Sequence, residues 1–257
     1  MSIAESLYFM YDGISSIDMG IINCSVDKSG MQSEAFFAES EIKEVSTKYN
    51  DRPFFQGIIR KPIVLPLQFA FLDTWDDDKL RATARWLCQD YYKEMSFSDN
   101  PDIKYYTIAN STVDLVHNSL KQGYLNINFR NIDNYKYSST FLSPIYDFSV
   151  NNLTTVIQFI NNGDVDCKPM LSLQKVGNGN IAIINLSDGG KEFGIKNLLN
   201  DEDLYIDNEN EEIVTSIPNT YRYDNQTGEF LNMVRGVNNL RIFGECKLQF
   251  RYQFKNL

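Results

Sequence analysis

Hydrophobic residues recur with a period of two along most of the chain. Leu65, Leu67, Phe69 and Phe71 alternate with Pro66, Gln68 and Ala70, which puts the first set on one face of a strand. Tyr124–Phe129 repeats the alternation, and so does the final run, where Cys246, Leu248, Phe250, Tyr252 and Phe254 point one way. Lys247, Gln249, Arg251 and Gln253 fall on the other face of that run, the mark of a sheet with one wet side. One segment, Asp73–Tyr92, has the helical period instead. Asp73 or Thr74 is its expected N-cap, and Asp76, Asp77 and Asp78 crowd the positive end of the helix dipole. Leu80, Ala84, Leu87, Cys88 and Tyr91 make one apolar stripe, and Asp77 and Arg81 stand four apart as a favourable pair. Such a helix, bearing both tryptophans, is expected to cover a sheet.

A polar, turn-rich stretch at 131–143 marks the expected boundary between a first domain, residues 1–138, and a second, residues 139–257. The second half is all short apolar runs punctuated by turns such as VGNGN, LSDGG and RGVNN, which predicts an antiparallel β-sandwich. The first half has strands on both sides of the helix, so a sheet or barrel with one helix packed on it is expected. Between Asp27 and Gly57 lies a long polar excursion that nonetheless holds Phe36, Phe37, Tyr49, Phe54 and Phe55, and it reads as a projecting hairpin. The fold class is therefore mainly β.

Charge then narrows the function. The 257 residues include 24 Lys and Arg against 34 Asp and Glu, for a net charge of −10. Duplex DNA is held mainly by cations neutralising phosphates, so this is not the composition of a general nucleic-acid binder, nor of one attracted to an anionic membrane. The deficit is shared, −5 on each side of Thr140. His117 is the only histidine, so a multi-histidine metal site within one chain is excluded. Cys24, Cys88, Cys167 and Cys246 are 64, 79 and 79 residues apart, too far for a CxxC motif, and read as small core residues of a protein made in a reducing cytosol. The N-terminus lacks the layout of a signal peptide, and no run approaches a membrane span.

Three further patterns carry little chemistry. Gly177-Asn-Gly179-Asn-Ile-Ala182 has the letters of a dinucleotide fingerprint but precedes a β-rich run, so a hairpin turn is expected. Asp201, Glu202, Asp203, Asp207, Glu209, Glu211 and Glu212 lack the glycine of a calcium loop and read as a solvated turn between strands. His117 falls on the Val113 and Leu115 face of a strand, where a structural role is expected over a Ser–His–Asp arrangement. No catalytic, cofactor-binding or metal-binding residue emerges.

The opening Phe9-Met-Tyr-Asp-Gly-Ile-Ser-Ser-Ile-Asp-Met-Gly20 carries a family likeness. So do Pro53–Gly57, Pro66–Phe71, Ala84-Arg-Trp-Leu87, Met95–Asp99 and Tyr105-Tyr106, then Asn161–Asp164, Leu204–Asn210 and Gly236–Asn239, in that order. Together they resemble the distal tail proteins, or Dit, of long non-contractile-tailed phages over essentially the whole chain. The resemblance implies a tail-tube-like first domain that closes a homohexameric ring and a galectin-like second domain outside it. It also implies a place at the virion tail tip, after synthesis in the host cytoplasm. The implied partners are the tail tube protein, the tail-associated tip protein and a receptor-binding protein, with DNA only in transit and no cofactor. Six copies at −10 would place −60 on the ring, which would repel DNA phosphates in its lumen; a lumen lined by Lys and Arg would contradict that. A ring needs a heterologous interface, and Phe36, Phe37, Tyr49, Phe54 and Phe55 are the candidates for one half of it. The alternative function is a receptor- or carbohydrate-binding component of the tail tip, and a glycan-active enzyme is a distant third.

Overall fold

The computed structural model describes residues 3–25, 38–110, 113–150 and 155–257. The chain divides into two compact units, Met1–Tyr137 with Leu257, and Ser138–Asn256. Among the described residues no helix is long and apolar enough to cross a membrane.

The first unit is built from β1 (Phe9–Tyr11), β2 (Ile14–Ser15), β3 (Ile21–Cys24), β4 (Ser40–Thr47), β5 (Asn50–Arg60), β6 (Val64–Phe71), helix α1 (Asp77–Leu87), β7 (Lys93–Phe97), β8 (Asn100–Ala109), β9 (Asp114–His117) and β10 (Gly123–Asn131). Its main sheet is antiparallel in the order β2-β1-β7-β8-β10-β6-β3, with β9 also on β10. The expected alternation holds: Leu65, Leu67, Phe69 and Phe71 of β6 and Leu125, Ile127 and Phe129 of β10 are buried.

This sheet cannot be flat. Three strands separate β1 from β6, so a flat sheet would hold them about 19 Å apart. Yet the Phe9 and Phe69 rings stack at 4.2 Å, and Tyr11 meets Phe129 edge-on at 5.2 Å. The sheet curls until its inner faces touch, and Asn23 draws its ends together. The Asn23 backbone N–H donates to the Leu7 carbonyl at 2.9 Å, and its side-chain amide donates to Ile3 and Ser6 carbonyls at 3.0 and 2.9 Å. Of the sheet and the barrel expected for this half, the barrel-like form is the one adopted.

Helix α1 packs on it, but over a shorter span than Asp73–Tyr92. Its N-cap is Asp76, not Asp73 or Thr74; the Asp76 carboxylate accepts from the Lys79 amide at 2.8 Å. The start is delayed because Trp75 is drawn into the core against Phe71, leaving Asp73–Asp76 as the approach to the helix. Only Trp86 of the two tryptophans lies on α1, stacked over Phe9 with its indole N–H donated to the Tyr11 carbonyl at 2.9 Å. Thr83, Trp86 and Leu87 form the buried face, whereas Tyr91 and Cys88 lie beyond the helix and are exposed. The expected Asp77–Arg81 ion pair is not formed.

After β11 (Lys136–Ser138), the second unit runs through β12 (Phe141–Leu142), β13 (Tyr146–Asp147), β14 (Thr155–Asn161), β15 (Met170–Lys175), β16 (Gly179–Asn185), β17 (Lys191–Leu198), β18 (Asp203–Asp207), β19 (Glu212–Thr215), β20 (Gln226–Gly228), β21 (Gly236–Phe243) and β22 (Cys246–Tyr252). One sheet orders β12-β22-β15-β18-β19 with β13 also on β22, and the other β14-β21-β16-β17-β20. Their inner faces share a single core that includes Leu171, Ile183, Ile206, Leu240, Ile242 and Phe250, making an antiparallel sandwich.

The sequence Gly177-Asn-Gly179 is not a hairpin turn, because β15 and β16 belong to different sheets; it turns the corner between them. The chain crosses back between β21 and β22, where Gly244 adopts φ +88° and an added Cβ would meet the Asn180 carbonyl at 2.3 Å. The two corners are tied to each other. Buried Lys175 donates its ammonium to the Val176 and Glu245 carbonyls at 2.6 and 3.0 Å, and the Val176 amide donates to Glu245 at 3.0 Å.

A second lock sits at the turn between β17 and β18. Glu202 is 0% exposed and Arg222 7%. The guanidinium grips both carboxylate oxygens at 2.8 and 2.7 Å, while the Thr215 hydroxyl and the Leu199 amide donate to the same carboxylate at 2.6 and 2.9 Å. Burial pushes the Glu202 carboxyl up, and those donors together outweigh it and hold the group below its ordinary value. Of the rest of the acidic run only Glu209 and Glu211 lie in the expected turn between strands. Asp201 belongs to the preceding turn, Asp203, Asp207 and Glu212 are on β18 and β19, and Asp207 is buried, accepting from the Glu209 and Asn210 amides.

Candidate functional site

Among the described residues strands β4 and β5 pair only with each other. Their register runs from Ser40↔Arg60 to Thr47↔Asn50, with Lys48 and Tyr49 at the tip. Eleven residues of β5 make a ribbon about 35 Å long. Every residue of both strands is exposed except Gly57, which is half-buried. Gly57 stands beside a register shift with φ +154°, a backbone shape that suits glycine, and its surroundings are open. At the base, the Lys61 ammonium bonds Glu39 at 2.7 Å, and that hydrogen bond raises the lysine's pKa.

Directly paired residues share a face, so the register sorts the ribbon's side chains. Val45, Phe54 and Ile59 fall on one face and Ile42, Phe55 and Ile58 on the other. All six are exposed, Phe54 at 56% and Phe55 at 65%, and Tyr49 at the tip is 93% exposed. A two-stranded ribbon with apolar groups on both faces buries too little to be stable alone, which makes it the candidate interaction surface. Its charge differs from that of the rest of the protein. Glu41, Glu44 and Asp51 are opposed by Lys43, Lys48, Arg52 and Arg60, so the ribbon is +1 within a chain of −10.

Of the residues singled out from the sequence, Tyr49, Phe54 and Phe55 lie together on this ribbon. Phe36 and Phe37 lie outside the described residues. Ile42, Val45, Ile58 and Ile59 belong with the exposed set; Ile42 and Val45 are three residues apart, so the run Glu41–Val45 carries no period-two signal that would single them out. His117 is exposed at the end of β9, edge-on to Trp75 at 6.1 Å, with Nδ1 3.2 Å from the Asn118 carbonyl. Only two cysteines are core residues. Cys167 and Cys246 are buried and burial pushes both thiols to about 12, so neither presents a thiolate; Cys24 is half-buried and Cys88 exposed.

Residues 4–133 match the family described as phage tail protein N-terminal domain, and residues 135–252 match the phage tail C-terminal domain. The chain belongs to the phage tail protein family. The tail protein is 31% identical over 255 residues to the SPbeta prophage-derived uncharacterized protein YomH of Bacillus subtilis (strain 168), covering 99% of this chain and 100% of the relative. Its fold is also that of a solved hub protein. The crystal structure of SPP1 Dit (gp 19.1), described as a paradigm of the hub adsorption apparatus in Gram-positive infecting phages, superposes with a TM-score of 0.69. The match spans 97% of the tail protein and 100% of that chain at 16% identity. A chain of the phage P2 baseplate in its activated conformation with Ca matches at a TM-score of 0.56 and 8% identity, over 96% and 97% of the two chains. At these identities the likeness is one of fold, the architecture of Dit; the phage tail domains are what make the chain a structural tail protein.

Proposed function

We propose that the tail protein is a distal tail hub whose copies close into a ring of six, joining the tail tube to the tip and adsorption apparatus. The observation that carries this reading is the β4–β5 ribbon. A closed ring needs two different patches per copy, one to project and one to receive. The ribbon is the projecting half, with Ile42, Val45, Tyr49, Phe54, Phe55, Ile58 and Ile59 as its apolar contacts. Its +1 charge favours docking on the acidic body of another copy over self-pairing of two ribbons. The fold shared with SPP1 Dit supports the hub role, and membership of the phage tail family supports a place at the virion tail. No catalytic role is part of this reading.

Sedimentation velocity of the full chain over a concentration series checks the association. One discrete species larger than a dimer is expected; monomer throughout contradicts the proposal. The net −10 gives a second expectation, that the ring passes DNA without holding it. Duplex DNA mixed with the protein should migrate unretarded at about 50 mM salt, where phosphate contacts are strong. Retention that fades steeply as salt rises would contradict the acidic-lumen account.

A further inference from the structure

The outer face of the sheet β12-β22-β15-β18-β19 carries a shallow groove of about 570 Å³. That volume lies within the range of small-molecule sites. Strand register sets its floor as two rows. Gln174 stands between Lys247 and Asp203, and Ser172 between Gln249 and Tyr205, with Val214 continuing the second row beyond Tyr205. The alternate residues Leu173, Leu204 and Leu248 point into the core, so the floor is fixed by the packing beneath it.

Gln249 donates its side-chain amide to the Ser143 carbonyl at 2.9 Å, and the Tyr205 hydroxyl meets Met170 Sδ at 2.9 Å, but four other polar groups of the floor are not used by the fold. Among the described residues the Gln174 amide, the Lys247 ammonium, the Ser172 hydroxyl and the Asp203 carboxylate make no hydrogen bond or ion pair, and Gln174 and Lys247 are half-buried. The groove thus offers a donor and acceptor amide, a cation, an anion and a hydroxyl side by side. Tyr205 and Val214 add an apolar strip at one end.

We propose that this groove binds a neutral carbohydrate of one or two rings. Closely spaced sugar hydroxyls donate and accept in turn, which matches the Lys247–Gln174–Asp203 row, and the C–H face of a pyranose suits Tyr205 and Val214. Other ligand classes fit less well. An anionic polymer would meet Asp203 in the row and Asp147 beside Lys247. A peptide added as a strand would need the free edge of β19, where the Ile213 amide already donates to the Tyr223 hydroxyl at 3.2 Å. The inference concerns the second unit only and does not depend on ring formation.

Saturation-transfer NMR of the full chain with lactose, maltose and N,N′-diacetylchitobiose tests it, with poly(glycerol phosphate) as the anionic comparison. Transfer to at least one disaccharide is expected. Gln174→Ala and Lys247→Ala should each weaken its binding at least about tenfold, as loss of a charged or bidentate hydrogen bond does, without lowering the melting temperature. Gln174→Glu, which keeps the side chain's size, should weaken binding as well. The proposal is overturned by no transfer to any of the three sugars, by transfer to the polymer alone, or by unchanged affinity in the Gln174 and Lys247 variants.

Discussion

Replacing Phe54 and Phe55 together by Ser is expected to break the assembly into monomers while leaving the fold intact. The two rings fall on opposite faces of the β4–β5 ribbon, because Phe54 pairs with Val45 and Phe55 with Glu44, consecutive pairs with no register shift between them. In one copy both are mostly exposed, so their loss removes little from the monomer's core. In an assembly each would bury a large apolar surface worth about 1.5–3 kcal/mol. Losing both weakens each subunit contact by about 3 kcal/mol or more, at least a hundredfold in the association constant. A closed ring repeats that loss at every contact. Sedimentation velocity beside circular dichroism reads the outcome: monomer with a wild-type spectrum is expected. An intact oligomer would remove the ribbon from the interface.

The second large effect concerns stability, not assembly. Arg222→Met is expected to destabilise the Ser138–Asn256 unit by about 3–5 kcal/mol, the cost of leaving a buried carboxylate without its cation. Against the usual 5–15 kcal/mol for a domain, that is a large fraction. Adding Glu202→Gln should restore part of the loss, since the remaining Thr215 and Leu199 donors then face a neutral amide.

Acid dependence separates this from a packing defect. In the wild type the Glu202 carboxyl is held below its ordinary 4.5, so its contribution is full above that value and fades as pH falls through the lowered one. In Arg222→Met the guanidinium no longer offsets burial, and the carboxyl should rise above its ordinary value. Folding then takes up a proton, so the penalty should shrink as pH is lowered towards 4. Urea unfolding at pH 7, 5 and 4 measures it. A penalty independent of pH would mean that Arg222 acts by packing alone.

The strands that form the two cores are legible because burial there follows strict alternation. Phe69 and Phe71 of β6 and Leu248 and Phe250 of β22 are inward as their spacing requires. The ends of α1 were not legible, because the buried Trp75 moves the cap to Asp76, and local helix signals contain no information on that. Curling of the first sheet was equally hidden. It depends on Asn23 reaching carbonyls about 20 residues earlier in the chain, and an asparagine with such a task looks like any polar strand residue. The ribbon stood out through Tyr49, Phe54 and Phe55, since aromatics are conspicuous in a polar stretch. Its aliphatic half, Ile42, Val45, Ile58 and Ile59, did not, because β-branched residues are ordinary in any strand. The groove could not be read at all. Gln174, Asp203 and Lys247 are scattered over more than 70 residues, and only strand register makes them neighbours.

Electron microscopy of the purified 257-residue chain tests the hub reading most directly. The account predicts closed rings with six-fold class averages and an open centre, lost in the Phe54→Ser/Phe55→Ser protein. Isolated monomers at every concentration, or open filaments with no closed ring, would contradict it.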